Sequence, residues 1–295
     1  MGSRSFLLLM LVCVLWAMNM IVSRLVVGDM GFPPLWFAAL RSVLVLMVLI
    51  PWLRPLPAGL WKVLLITFAV SGGGFALLFI GLRDASVSAA SVVGLSSAPL
   101  TVLFAVIFLG EQVHWRRAFG ILLTFCGVLV AIASPGSMEA SLGLIVVFAS
   151  AVVSALGAVF LKRLDLSALR LQAWAGASST LALVPLCLAL EGWQGNAVVE
   201  GGWRLAAALA FSTLGVSVLA HTLYFLLLQK HDANVVAPLT LVTPVFTILM
   251  GVAITGDSVS PPLLLGGAIA AVGVLVIVVR PSAKLFKPLL VRGRL

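Results

Sequence analysis

Ten mostly apolar runs, each about 20 residues long, follow one another through the 295-residue chain with only short polar breaks between them. A helix needs about 20 such residues to cross the hydrocarbon core of a bilayer. The runs fall at residues 5–27, 34–53, 61–82, 86–109, 115–134, 142–163, 168–190, 203–229, 235–256 and 262–280. Their sum is a composition that is 62% hydrophobic and 9% charged, against roughly 45–50% and about 25% in a soluble domain. The expected fold is therefore all-α and integral to the membrane, with ten transmembrane helices. Because the connections are short, every functional residue must lie within the membrane or at its edge.

Several other classes fall away on the same grounds. The net charge of +9 does not indicate nucleic acid, because the basic residues are scattered between apolar runs and form no stripe. Cys13, Cys126 and Cys187 sit inside apolar runs without metal-ligand or disulfide spacing. The first run resembles a secretory signal only at its start: it continues past Asn19 to Val27 without a small-residue cleavage site, so it is expected to stay as a span.

Orientation follows from Lys and Arg, which accumulate in cytoplasmic loops. With the N-terminus inside, fourteen basic residues face the cytoplasm: Arg4, Arg54, Lys62, Arg116, Arg117, Lys162, Arg163, Arg170, Lys230, Arg280, Lys284, Lys287, Arg292 and Arg294. Only Arg24, Arg83 and Arg204 face outward, and Arg41 lies inside the second span. Both termini are expected in the cytoplasm, with the basic tail at 283–295 meeting anionic lipid.

The chain also repeats itself. At an offset of 146, Gly110-Glu111 matches Gly256-Asp257, Gly120 matches Gly266, Gly127 to Val130 matches Gly273 to Val276, and Pro135 matches Pro281. With small gaps, Asp84-Ala85 aligns with Asp232-Ala233 and Pro99 with Pro244. Two units are expected, 1–137 and 138–282. Five spans per unit is an odd number, so the second copy enters the membrane inverted, a construction of secondary transporters that places substrate between the copies.

The stretch from Phe79 to Ala90, then Pro99 and Phe108 to Glu111, with its echo from Tyr224 to Asn234, Pro244 and Gly256-Asp257, resembles the twice-repeated signature of EamA-type members of the drug/metabolite transporter superfamily. Trp16-Ala17-Met18-Asn19, followed by Pro34 and Arg41, is similar to that family's opening. The resemblance covers nearly the whole chain and is greatest to bacterial amino-acid exporters. It implies a ten-helix carrier of the inner membrane, a central cavity and transport out of the cytoplasm.

Candidate site residues are helix breakers and polar groups at membrane depth. Ser71 and Gly72-Gly73-Gly74 interrupt the third span, while Pro99 and Pro244 interrupt the fourth and ninth. Such breaks are tolerated where they face protein or a wet cavity, although the glycines equally permit close helix contact. Gly73, Pro99, Pro244 and Arg41 are candidate hinge or gate positions. Arg41 lies seven residues into the second span, about 10 Å deep, and is read as an anchor or gate rather than a substrate ligand. Trp16, Asn19, Ser71, Phe75, Phe79, Ser97, Ser154, His221, Tyr224 and Thr243 are candidate substrate contacts. Among them, Phe75 and Phe79 are expected to form one apolar wall. His221 and Tyr224, three residues apart, would contact substrate or accept a proton, against the alternative of a neutral imidazole in a packed interface.

All nine acids fall at span ends or in loops, so neither a carboxylate proton relay nor a buried counter-charge for a strongly cationic substrate is present. No phosphate-binding G-x-x-x-x-G-K-[ST] motif for ATP occurs. The expectation is a secondary carrier, without cofactor or metal, moving a small amphipathic metabolite such as a neutral or aromatic amino acid by alternating access. A multidrug or nucleotide-sugar carrier is the alternative within the superfamily. A lipid-modifying enzyme lacks convergent catalytic groups, and a channel lacks a continuous polar filter. Oligomeric state stays open, with a monomer compatible.

Overall fold

The computed structural model describes residues 2–110, 112–134, 138–161, 163–231, 236 and 239–278. Glu111, Asp232, Pro135, Pro281 and the tail at 283–295 lie outside these. Nine described helices are long and apolar enough to cross a membrane: α1 Ser3–Asp29, α2 Pro34–Leu53, α3 Leu60–Leu82, α4 Val87–Leu109, α5 Trp115–Ile132, α6 Met138–Leu161, α7 Ala168–Leu190, α8 Gly195–Tyr224 and α10 Pro261–Val278. The shorter apolar helix α9 covers Thr240–Thr255. These are the expected spans, with ends shifted by a few residues. Helix α8 begins earlier than its apolar run, but Gly202, at φ 50° and ψ −142°, separates the exposed turns before it from the membrane segment after it.

Elements end where the sequence punctuates them. Gly110 and Gly256, matched across the two repeats, take the same left-handed conformation (φ 67° and 68°) and terminate α4 and α9. Only glycine enters that region without a steric penalty, which makes it the usual helix terminator.

The repeats meet at α5 and α10. A Cβ on Gly127 would lie 2.4 Å from both the Gly266 oxygen and the Ala270 nitrogen, and one on Gly120 would lie 2.8 Å from the Gly273 oxygen. The 146-residue shift carries Gly120 to Gly266 and Gly127 to Gly273, so it turns the 120–273 contact into the 127–266 contact. Exchange of partners in this way is what a two-fold axis between inverted copies requires.

The connections divide into two sets, giving the bundle a basic face and an opposite face. The basic face carries the start of α1 and the links at 54–59, 112–114 and 163–167. Near the opposite face one continuous apolar core joins Val26, Phe37, Phe79, Leu82, Val87 and Ala131 with contributions from most helices. Toward the basic face the buried apolar residues separate into four clusters, centred on Leu9 with Leu227, Val45 with Leu49, Val63 with Trp174, and Leu100 with Ala151.

Acids tie the opposite face together as helix caps. Asp257 Oδ2 accepts from the Ser88 amide at 2.8 Å, at the start of α4. The Glu191 carboxylate accepts from the Leu35 and Trp36 amides at 3.0 and 2.9 Å, at the start of α2. A negative charge there meets both orphan amides and the positive end of the helix dipole.

Gly127→Ala is expected to lower the thermal unfolding midpoint in detergent, since overpacking against rigid backbone costs about 1–3 kcal/mol. Gly94→Ala, where an added Cβ meets nothing within 4 Å, should leave the midpoint unchanged or raise it; a scanning-fluorescence comparison of the two variants checks this.

Candidate substrate cavity

The mid-span departures from regular helix come in repeat-related pairs. Proline removes the amide that would bond four residues back. In α4 the helix is accordingly interrupted at Leu95–Ser96 before Pro99, and in α9 a 3-10 turn over Thr240–Val242 precedes Pro244. The other pair is α3 and α8, which widen into π turns at Ala69–Gly73 and Phe211–Ala220.

These helices, with α1, α6 and α10, surround a cavity of about 450 Å³. Its lining includes seven of the candidate contacts and one candidate hinge: Trp16, Asn19, Phe75, Ser97, Ser154, His221, Thr243 and Pro244. Trp16 stands on α1 with its ring 5.7 Å from His221 and 5.0 Å from Tyr224, both on α8. His221 Nδ1 lies 2.8 Å from the Val216 carbonyl. A carbonyl only accepts, so Nδ1 carries the hydrogen and Nε2 is the ring nitrogen left for a guest. Asn19 is only 4% exposed, and neither its Oδ1 nor the Trp16 Nε1 finds a hydrogen-bond partner among the described residues. One acceptor and one donor, three residues apart on α1, are thus left unmatched at the edge of an otherwise largely apolar space.

Six candidates sit off this cavity. Phe79 is fully buried, 4.9 Å from Phe37 and 5.8 Å from Phe75, because the turn above Phe75 is where α3 meets α2. The two phenylalanines therefore form layers, not one wall. Tyr224 packs beside Trp16, and Pro99 is buried in α4 just past the break. Gly73 belongs to the close-contact reading: Gly72 faces Ser179 of α7, Gly73 faces Val153 and Gly74 faces Ser154, both of α6. Ser150 adds a cross-helix bond, its Oγ donating to the Gly74 carbonyl at 2.7 Å.

Ser71 instead borders two small chambers with Arg41. Arg41 is 5% exposed. Its Nε and one Nη donate to Ser217 Oγ at 3.2 and 2.8 Å, and that hydroxyl donates onward to the Ser212 carbonyl at 2.9 Å. The guanidinium carbon stands 3.7 Å from the Phe75 ring centroid. Sequence reading singled out His221 on α8 but missed Ser212 and Ser217; the signal was a run of small hydroxyl residues in the same span. Gln172 on α7, lining both chambers, was also missed. No group of three His, Cys, Asp or Glu side chains able to hold a metal occurs among the described residues.

Comparison with known proteins assigns this architecture to a class. The EamA-like transporter family matches the chain twice, over residues 3–133 and 141–279, and the chain belongs to that family. It is a membrane transporter. The chain is 26% identical to a protein of Escherichia coli (strain K12) named a probable amino-acid metabolite efflux pump, over 92% of this chain and 94% of the relative. It is 29% identical to an uncharacterized transporter of Archaeoglobus fulgidus, covering 93% and 97%. A solved structure titled "Crystal structure of protein" shares the fold, with TM-score 0.61, 19% identity and coverage of 98% of this chain and all of that one.

Asn19→Leu removes an unmatched polar atom while nearly keeping side-chain volume. Thermal stability is expected to hold or rise, since an unsatisfied buried group costs about 1–3 kcal/mol, whereas transport should fall. A loss of stability measured in the purified variant would mean that Asn19 serves the fold.

Proposed function

We propose that the chain is a secondary carrier of the bacterial inner membrane that exports small amphipathic metabolites, amino acids above all, by alternating access between its two inverted repeats. The observation that carries this reading is the central cavity: both repeats build it, its walls are largely apolar, and its unmatched hydrogen-bonding atoms await a guest. A neutral or aromatic amino acid offers an ammonium group to the Asn19 acceptor and an apolar side chain to Phe75 and Trp16. The relatives named for amino-acid metabolite efflux support the same cargo class. The continuous core near the opposite face and the divided clusters near the basic face support an assignment of this conformation as open toward the basic side. By the excess of Lys and Arg there, that side is the cytoplasm.

Two experiments test the reading. Proteoliposomes loaded with a mixed amino-acid pool should show saturable counterflow, run with wild type beside His221→Ala at pH values on either side of the ordinary imidazole pKa of about 6.5. Transport by the variant without the wild-type pH dependence would make His221 the proton-linked residue. Absence of amino-acid movement by folded wild type would remove the cargo assignment. In a cysteine-free background, Leu56→Cys should react with an impermeant maleimide only in inverted vesicles and Trp193→Cys only in intact cells; the reverse labelling would invert the orientation.

A further inference from the structure

Arg41 is a buried cation for which the described residues supply no anion. No acidic side chain among the described residues pairs with it, and its hydrogen bonds go to the neutral hydroxyl of Ser217. A charge at membrane depth without a partner is costly to bury and marks a functional position by default. A guanidinium has five N–H donors. Ser217 occupies the Nε hydrogen and one on an Nη, so three hydrogens remain, two of them along the edge formed by the two Nη atoms. Such an edge can receive a carboxylate through two parallel bonds. Meanwhile the Phe75 ring stacks on the group, 3.7 Å from its central carbon to the ring centroid.

The space beside Arg41 has the size and surroundings for such a guest. A chamber of about 70 Å³ lies against Arg41, Thr67, Ser71 and Gln172, and it is bounded by Phe75 and His221. Those last two side chains also line the central cavity. Phe75 and His221 are thus the partition between the wide central cavity and a small chamber that holds the Arg41 cation.

We propose that this chamber is the carboxylate subsite of the carrier: Arg41 binds the carboxylate of the cargo by its free edge, assisted by Gln172, while the rest of the cargo stays in the central cavity. Rotation of the Phe75 ring opens the partition. Ser217, tethered to the widened turn of α8, is a positioning residue that fixes the plane of the guanidinium. The inference rests on the carrier reading but not on the amino group of the cargo. It selects for carboxylates and against the corresponding amides and amines, and it makes Arg41 a ligand where its sequence position alone pointed to an anchor.

The test uses the full chain purified in detergent, with binding read by thermal shift and by titration. The probes are phenylalanine and leucine, their amides, 3-phenylpropanoate as a carboxylate without an ammonium group, and chloride. Wild type should bind each acid about tenfold or more tightly than its amide, and Arg41→Gln should bring that ratio close to one. Arg41→Lys should restore part of the preference, since a point charge replaces a bidentate one. The wild-type acid-to-amide ratio needs no variant, so a misfolded Arg41→Gln leaves the test intact. Equal binding of acid and amide by wild type overturns the subsite, as does an unchanged ratio in folded Arg41→Gln. Equal protection by chloride, or no binding of any carboxylate, overturns it too. If 3-phenylpropanoate binds through Arg41 while no amino acid is carried, the subsite stands and the amino-acid assignment fails. If amino acids and their amides are carried alike, the carrier reading stands and the subsite fails.

Discussion

Hydrocarbon offers no hydrogen-bond partner, so each backbone or side-chain polar group in this bundle must be satisfied by the chain itself or turned toward a cavity. Most of the architecture follows from that constraint. Regular helices absorb the backbone. Hydroxyls inside them bond back to the preceding turn, as Ser23, Ser42 and Thr124 do at 2.7–2.9 Å. Acids at the opposite face take the orphan amides of α2 and α4. Trp16 Nε1 and Asn19 Oδ1 are among the buried groups left over after this accounting, and they stand at the central cavity, with the outer edge of Arg41 at its side chamber.

Irregular helix geometry serves the same end. A π turn offers side chains the carbonyl five residues back, and both Ser217 and His221 use it. Through those bonds the widened part of α8 orients a hydroxyl toward Arg41 and a ring nitrogen toward the cavity. The related widening in α3 seats its glycines against α6 and α7. One device thus aims functional groups in the second repeat and allows close packing in the first.

Features encoded by punctuation and periodicity were readable from the sequence. The span limits follow from apolar runs and their breaks, the repeat from matched glycines, and the breaks in α4 and α9 from Pro99 and Pro244. What could not be read was which apolar or polar face meets what. Phe75 and Phe79 are one turn apart and chemically identical, and only the approach of α2 decides that one lines the cavity and the other is buried behind it. Arg41 and Ser217 are separated by 176 residues, as Ser88 and Asp257 are by 169, and no local pattern foretells such pairs. In a soluble helix the polar face would indicate orientation; here nearly every face is apolar and that cue is missing.

The glycine contact between α5 and α10 has a mechanical consequence. If the carrier passes between its two states by letting each repeat adopt the shape the other had, most contacts change partners in the passage. A contact that the symmetry operation maps onto itself does not. The crossing of α5 and α10 is therefore a fulcrum that can stay clenched throughout the cycle, and its glycines permit the short lever arm on which the other eight helices swing.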